Sequence, residues 1–275
     1  MATTHAVHRG SVVALWRYPV KSMIGEELNA SDVTERGLLG DRAYALVDAE
    51  TGMVVSAKNP RKWGNMFDFR AAFVAPPRDP GSLPPARITF PDGAQVTTDQ
   101  ADVDRRLSAS MGRPVRLAAS VPDAPILEGY WPEHEWLPNP DQVFEVAMPS
   151  GTFFDLAVVH LITTATLDRL RDLAPKSRFE VRRFRPNLVI KVSDGAEGFV
   201  EDEWIGRTLS LGGEVQLRIT QPCPRSVMTP LSQGDLPKDP AILRAAVQHN
   251  QGYVGVYASV LRGGRVLRGD EVVCS

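Results

Sequence analysis

Cysteine is scarce in this chain of 275 residues: only Cys223 and the penultimate Cys274 occur. Two thiols so far apart make neither a disulfide framework nor a zinc pattern, so a reducing compartment is expected. An excess of charge of one sign is also lacking. Lys and Arg number 31 against 33 Asp and Glu, a net charge of −2, which supplies no overall field for nucleic acid or an anionic membrane. Long apolar runs are missing, so no segment reads as a membrane span. The start, Met1-Ala2-Thr3-Thr4-His5, is polar and has no h-region of a secretory signal, which gives the expectation of a cytoplasmic protein without a membrane partner. What remains, 43% hydrophobic and 23% charged, is the composition of an ordinary globular protein long enough for one large or two medium domains.

What is present is mostly short strands. Ser11 to Tyr18 is β-rich and ends at Pro19, and 43–48 follows the turn Gly37-Leu38-Leu39-Gly40-Asp41-Arg42. A second hairpin arm is expected at 53–56, and short strands at 69–74, 87–90, 94–98 and 114–118, interrupted by a proline-rich surface loop over 75–85. Helices are expected at 102–111, closed by Gly112, after a cap at Thr164, and from an Asp239 cap through Gln248. Strands at 188–192 and 214–219 and a final hairpin from Tyr253 turning at Gly263-Gly264 complete a mainly β (α+β) reading. Period two in that hairpin puts Val254, Val256, Ala258 and Val260 in the core, and Tyr253, Gly255, Tyr257 and Ser259 on the other face.

Three stretches carry candidate chemistry. In Gln221-Pro222-Cys223-Pro224-Arg225-Ser226, two prolines bracket Cys223 and predict that the chain leaves its sheet as a rigid loop. A soft thiol, a fixed cation and a hydroxyl then suit an anionic or metal-containing cofactor, although a thiol at a strand end is more commonly just a small core residue. Arg182-Arg183-Phe184-Arg185-Pro186-Asn187 gathers three arginines, which repel unless an anion or carboxylates face them. Tyr18-Pro19-Val20-Lys21-Ser22 ends a strand so that Lys21 and Ser22 can face a cleft. Arg42, at a glycine-containing turn, suits a phosphate or a structural carboxylate. His160 reads as a core histidine, and the basic corner Ala57-Lys58-Asn59-Pro60-Arg61-Lys62 either borders the same anionic site or an acidic partner or, more commonly for such a run, is a solvated face. Glu133-His134-Glu135 is rejected as a metal site because adjacent ligands share no face.

Taken together, Pro-Cys-x-Arg-x-x-x-Thr at 222–229, Arg-Phe-Arg-Pro-Asn-Leu-Val-Ile at 183–190 and Tyr-Pro-Val-Lys-Ser at 18–22 resemble the MOSC family, which includes the molybdenum amidoxime-reducing enzymes. The resemblance implies an N-terminal β-barrel domain over 10–118 and a MOSC β-barrel domain over 119–275, with a few peripheral helices. It implies that Lys21, Ser22, Arg42, Arg185, Asn187, Arg225, Thr229 and Tyr257 contact a molybdopterin cofactor, with Asp155 near the metal. One position departs from the pattern: Ser226 stands where the family has the cysteine that ligates molybdenum, while Cys223 matches the other loop cysteine. Pro230 replaces a threonine.

The function implied is a molybdenum oxidoreductase that reduces N-oxygenated small molecules, with Ser226, or a displaced Cys223, as the metal ligand and an electron-transfer protein as partner. The alternatives are a repurposed non-redox enzyme of specialised metabolism, using Ser226, Cys223 or Tyr257 on an anionic substrate without molybdenum, or a cofactor-binding carrier.

Overall fold

In a computed structural model, residues 8–131, 141–193 and 195–275 are described. The Glu133-His134-Glu135 reading and the polar start of the chain lie outside the described residues. The architecture is mainly β, with an N-terminal β-barrel, a second closed barrel and a few peripheral helices.

The first strand, His8–Arg17, belongs to the second barrel. It pairs with Leu188–Val192 on one side and Glu271–Cys274 on the other, closing the ring through Val159–Thr163, Tyr253–Arg262, Val215–Pro224 and Thr208–Leu211. Alternation explains the interior: Val12, Leu15, Leu161, Leu188, Ile190, Leu217 and Val256 all point into one buried cluster. The antiparallel pairs of this barrel allow short connections, and the parallel pair Val159–Thr163 with Leu188–Val192 is bridged by the helix Thr164–Leu173.

The N-terminal part is built from short strands, Arg70–Phe73 with Ala86–Thr89 and Gln95–Thr97, and Ala45–Asp48 with Val115–Ala118. Their apolar faces meet Trp63, Met66, Phe67 and Leu107. The helix Val103–Met111 ends on Gly112, whose φ of 68° is the left-handed closure the sequence signals. The arm expected at 53–56 is reduced to single bridges, Val47 to Val54 and Val54 to Leu127.

Four local expectations change. Pro222, Cys223 and Pro224 do not end the strand; Val215–Pro224 runs through them, because register shifts on either side of Pro222 let residues without an N–H sit in an irregular ladder. Thr163, not Thr164, caps its helix, its hydroxyl accepting from the Thr166 amide at 3.1 Å. The expected hairpin at Gly263-Gly264 does not fold back on Tyr253–Arg262, since Gly264–Leu267 pairs with Ala30–Thr34 instead. Period two also fails once: Gly255 has φ +77°, and Val254 packs with Ile162 and Ile242 while Val256 and Ala258 face the barrel core.

Candidate functional site

One cavity is lined by Lys21, Ser22, Arg42, Asp155, Arg185, Asn187, Cys223, Arg225, Ser226, Thr229 and Tyr257, together with Lys58, Phe153, Phe154 and His160. It lies where the chain leaves the barrel strands near both Tyr18 and Arg225. Three of its residues hold left-handed backbone that costs a non-glycine residue energy: Ser22 at φ 63°, Arg42 at 49° and Arg185 at 54°. Elsewhere among the described residues only Asp141 and Gln251 share this feature. Each strained position is pinned. The Arg42 amide donates to the Tyr18 carbonyl at 2.9 Å, and the Ser22 hydroxyl accepts from the Ala57 amide at 3.2 Å. Arg185 closes the helical turn Val181–Phe184, with its amide on the Val181 carbonyl, and Pro186 bars a right-handed continuation.

Tyr18 is the hub of the cationic wall. Arg42 and Arg185 stand over its ring at 4.4 and 4.2 Å. Its hydroxyl donates to the Pro186 carbonyl, and burial raises its pKa. Asp41 accepts from the Tyr18 amide at 2.7 Å, pairs with Arg42, and accepts from Asn187 Nδ2 at 2.8 Å. Asn187 also takes the His160 amide on Oδ1 at 3.0 Å. Its polar atoms are therefore engaged within the protein, and it acts on the cavity by holding Asp41. Burial, with Arg42 adding to it, pushes Arg185 down to about 10, which leaves it charged at neutral pH.

Asp155 supplies the opposite charge. It pairs with Lys21 and with Lys58, the latter at 2.8 Å. Burial alone would raise its pKa, but the two ammonium groups more than offset this and hold it below the ordinary carboxylate range. Burial brings Lys21 down to about 8. The expectation that Lys58 is a solvated cation is thus corrected: it is partly buried and ion-paired inside the cavity. No local pattern around Ala57-Lys58-Asn59 reveals this, because its partner comes from a distant turn.

The loop that organises the sequence reading provides the far wall. Arg225 donates to the carbonyls of Val254 and Phe184 and to His160 Nε2. Burial and Arg225 lower the His160 pKa well below the usual value, so its ring is neutral and accepts that bond. Burial raises the Cys223 thiol, and Tyr257, hydrogen-bonded to it, is raised well above its ordinary value; both are protonated at neutral pH. Ser226 is partly exposed, with the Met228 amide near its hydroxyl at 3.4 Å, and the Thr229 hydroxyl donates to its carbonyl at 3.1 Å. Thr229 thereby shapes the turn that presents Ser226.

Of the three arginines at 182–185, only Arg185 belongs to the cationic wall. Arg182 pairs with Glu180 and Asp235, as a structural role requires. Arg183 borders the cavity but is buried on the carbonyls of Arg178, Thr229, Leu231 and Pro237, so carbonyls and not carboxylates neutralise its placement. Among the described residues no group of three or more His, Cys, Asp or Glu is arranged to hold a metal ion.

Comparison with known proteins follows this geometry. The MOSC N-terminal beta barrel domain matches residues 9–74 and the MOSC domain residues 150–273, so the expected boundary at 118/119 falls in a stretch that neither covers. The human mitochondrial amidoxime reducing component 2 is 28% identical over 240 residues, covering 80% of this chain and 66% of that protein. The human mitochondrial amidoxime-reducing component 1 is 24% identical with the same coverage. The chain therefore spans slightly under two thirds of the length of these relatives. The YUAD protein of Bacillus subtilis superposes with a TM-score of 0.47 at 12% identity, over 98% of this chain and 97% of that one. The expectation of a cytoplasmic location does not stand, because these curated relatives are named as mitochondrial proteins. Absence of a signal-like start is weak ground against that. No helix among the described residues is long and apolar enough to cross a membrane. With both of its characteristic domains matched in order, the chain belongs to the MOSC family.

Proposed function

We propose that this chain binds a molybdenum cofactor in the cavity beneath Tyr18 and reduces N-oxygenated small molecules, the activity suggested by the names of its amidoxime-reducing relatives. The observation that carries the proposal is the convergence of Ser22, Arg42 and Arg185, each in strained left-handed backbone, on one cation-lined cavity that ends at Ser226.

The residues present fit such a group. Lys21, Lys58, Arg42 and Arg185 outnumber Asp155 on the walls, as a phosphate-bearing pterin requires. Ser226 offers a single accessible oxygen of the hard type that suits a high-valent metal, whereas the buried and protonated Cys223 does not. Lys21, Arg42 and Arg185 would hold the pterin and phosphate, with Asn187 and Asp41 fixing Arg42. Ser226 would be the protein ligand to the metal, and Arg225 and Thr229 would set its turn. When bound, the cofactor supplies removal of an oxygen atom by cycling between oxidation states, with electrons from a protein donor. The chain's own residues orient the substrate and hold compensating charge. A non-redox reaction by a Cys223 thiolate is disfavoured, since burial raises that thiol and outweighs the opposing Arg225 charge and Tyr257 hydrogen bond.

The test is molybdenum and pterin content of protein made in a cofactor-proficient host. Stoichiometric molybdenum that is lost in Ser226→Ala but kept in Cys223→Ala supports the proposal. A wild type free of molybdenum and pterin, with Ser226→Cys taking both up, would refute it and leave a cavity whose redox role has been given up.

A further inference from the structure

A second cavity of about 300 Å³ lies on the other side of the Ser226 turn. It shares Lys58, Pro224, Arg225 and Ser226 with the cationic cavity, so the two meet at the residue proposed to hold the metal. Its character is different. One wall is the hairpin Ile126–Trp131 with Gln142–Ala147, where Trp131 and Phe144 stack at 5.3 Å with planes 24° apart. The other is made by Val247 and Leu243 of the helix Ala241–Asn250, with Tyr253 at the start of the next strand.

The hairpin is shaped for this. A Cβ at Gly129 would come within 2.5 Å of the Phe144 ring, so its absence lets that ring lie across the strand and extend the flat apolar wall. The charged residues in the lining are Lys58 and Arg225. Arg225 is committed to the Val254 and Phe184 carbonyls and His160, whereas the Lys58 ammonium has three N–H donors and, among the described residues, pairs with Asp155 alone. A ligand that fills the apolar part therefore meets the charged side chains of the lining, with the Ser226 hydroxyl, at the end shared with the cationic cavity. A flat ring stacks well between aromatic and aliphatic walls, and a compact polar head is needed to satisfy the end.

We infer that this cavity is the substrate pocket and that it selects planar aromatic compounds whose small N-oxygenated head reaches Lys58 and Ser226. The inference rests on the proposed function for the identity of the head group, but the selection of the ring follows from the pocket alone.

The test compares two probes with the same head, benzohydroxamic acid and acetohydroxamic acid, by calorimetric titration of the full chain, with molybdenum content measured on the same preparations. The aromatic probe should bind at least about tenfold more tightly than the aliphatic one, the factor that one well-placed aromatic contact supplies. Trp131→Ala and the space-filling Val247→Trp should each remove most of that preference, and Trp131→Phe should keep it; melting curves establish that the variants are folded. Equal affinity for the two probes, or a preference untouched by both Trp131→Ala and Val247→Trp, would overturn the inference even if molybdenum is retained. A preserved aromatic preference in protein that never takes up molybdenum would instead sustain the pocket and remove the redox reading.

Discussion

The Lys21 ammonium is ion-paired to the Asp155 carboxylate inside the cavity, although the two residues are 134 positions apart in the chain. The same ammonium donates to the Phe153 carbonyl at 2.8 Å. The pair thus ties the end of the first barrel strand to the turn before Val159–Thr163, and it puts a titratable cation on the cavity wall.

This makes anion binding depend on pH in a defined direction. Burial brings Lys21 from its ordinary value to about 8, so the cavity loses a positive charge as pH rises through that point. The affinity for inorganic phosphate, read by calorimetry, should fall between pH 7 and pH 9, and Lys21→Arg should flatten the profile. For stability the sign is opposite. The folded state gives up the Lys21 proton before the unfolded state does, so this residue makes stability rise with pH from about 8 to the unfolded lysine value. Asp155, with its folded pKa depressed, contributes stability above the unfolded carboxylate range that is lost as pH falls through and below it.

Tyr18→Leu should destabilise the protein more than Tyr18→Phe. Leucine removes the ring beneath both Arg42 and Arg185, leaving two partly buried guanidinium groups without their aromatic face, at a cost of about 2–4 kcal/mol. Phenylalanine keeps the ring and gives up only the hydroxyl bond to the Pro186 carbonyl, about 1 kcal/mol. Urea unfolding of the two variants decides this, and equal midpoints would show that the ring does not hold the arginines.

Arg225→Met should cost about 3 kcal/mol, because the carbonyls of Val254 and Phe184 lose a charged donor in a partly buried position. Removing the neighbouring cation should also raise the His160 pKa, since Arg225 is one of the causes that lower it. The imidazole shift in an NMR titration reports this directly, and an unchanged His160 would mean that burial alone keeps the ring neutral.

Gly255→Ala tests the break in strand alternation. Its φ of +77° is strained for alanine, and the added Cβ would sit 2.5 Å from the Leu161 carbonyl and 2.6 Å from His160 Nε2. A loss of about 2–4 kcal/mol is expected, seen as a lower urea midpoint. Ala258→Gly, which only removes a methyl from the same strand, should cost less.

The regular elements were readable because they depend on local pattern. Leu188–Val192 falls where the apolar run lies, Val103–Met111 ends at its glycine, and the Asp239 carboxylate does accept from the Ala241 amide at 3.0 Å. Misreadings came where distant partners override local preference. The prolines around Cys223 stay in the strand because Tyr253–Arg262 supplies an irregular ladder beside them, and Gly264–Leu267 chooses Ala30–Thr34 over its sequence neighbour.

The site divides in the same way. Resemblance to three family motifs named residues that line the cavity, from Lys21 to Tyr257, while Lys58, Phe153 and Phe154 joined them only in the fold. It also exposed the serine at 226. What each side chain does there was decided by tertiary structure, because hydrogen bonds and charge pairs form across the fold between segments that carry no mutual signal. Asn187 is spent on Asp41 and His160, Lys58 is drawn inward by Asp155, and Arg183 is consumed by carbonyls. The aromatic cavity beyond Ser226 exists only because a hairpin and a helix far apart in the chain close on the same turn.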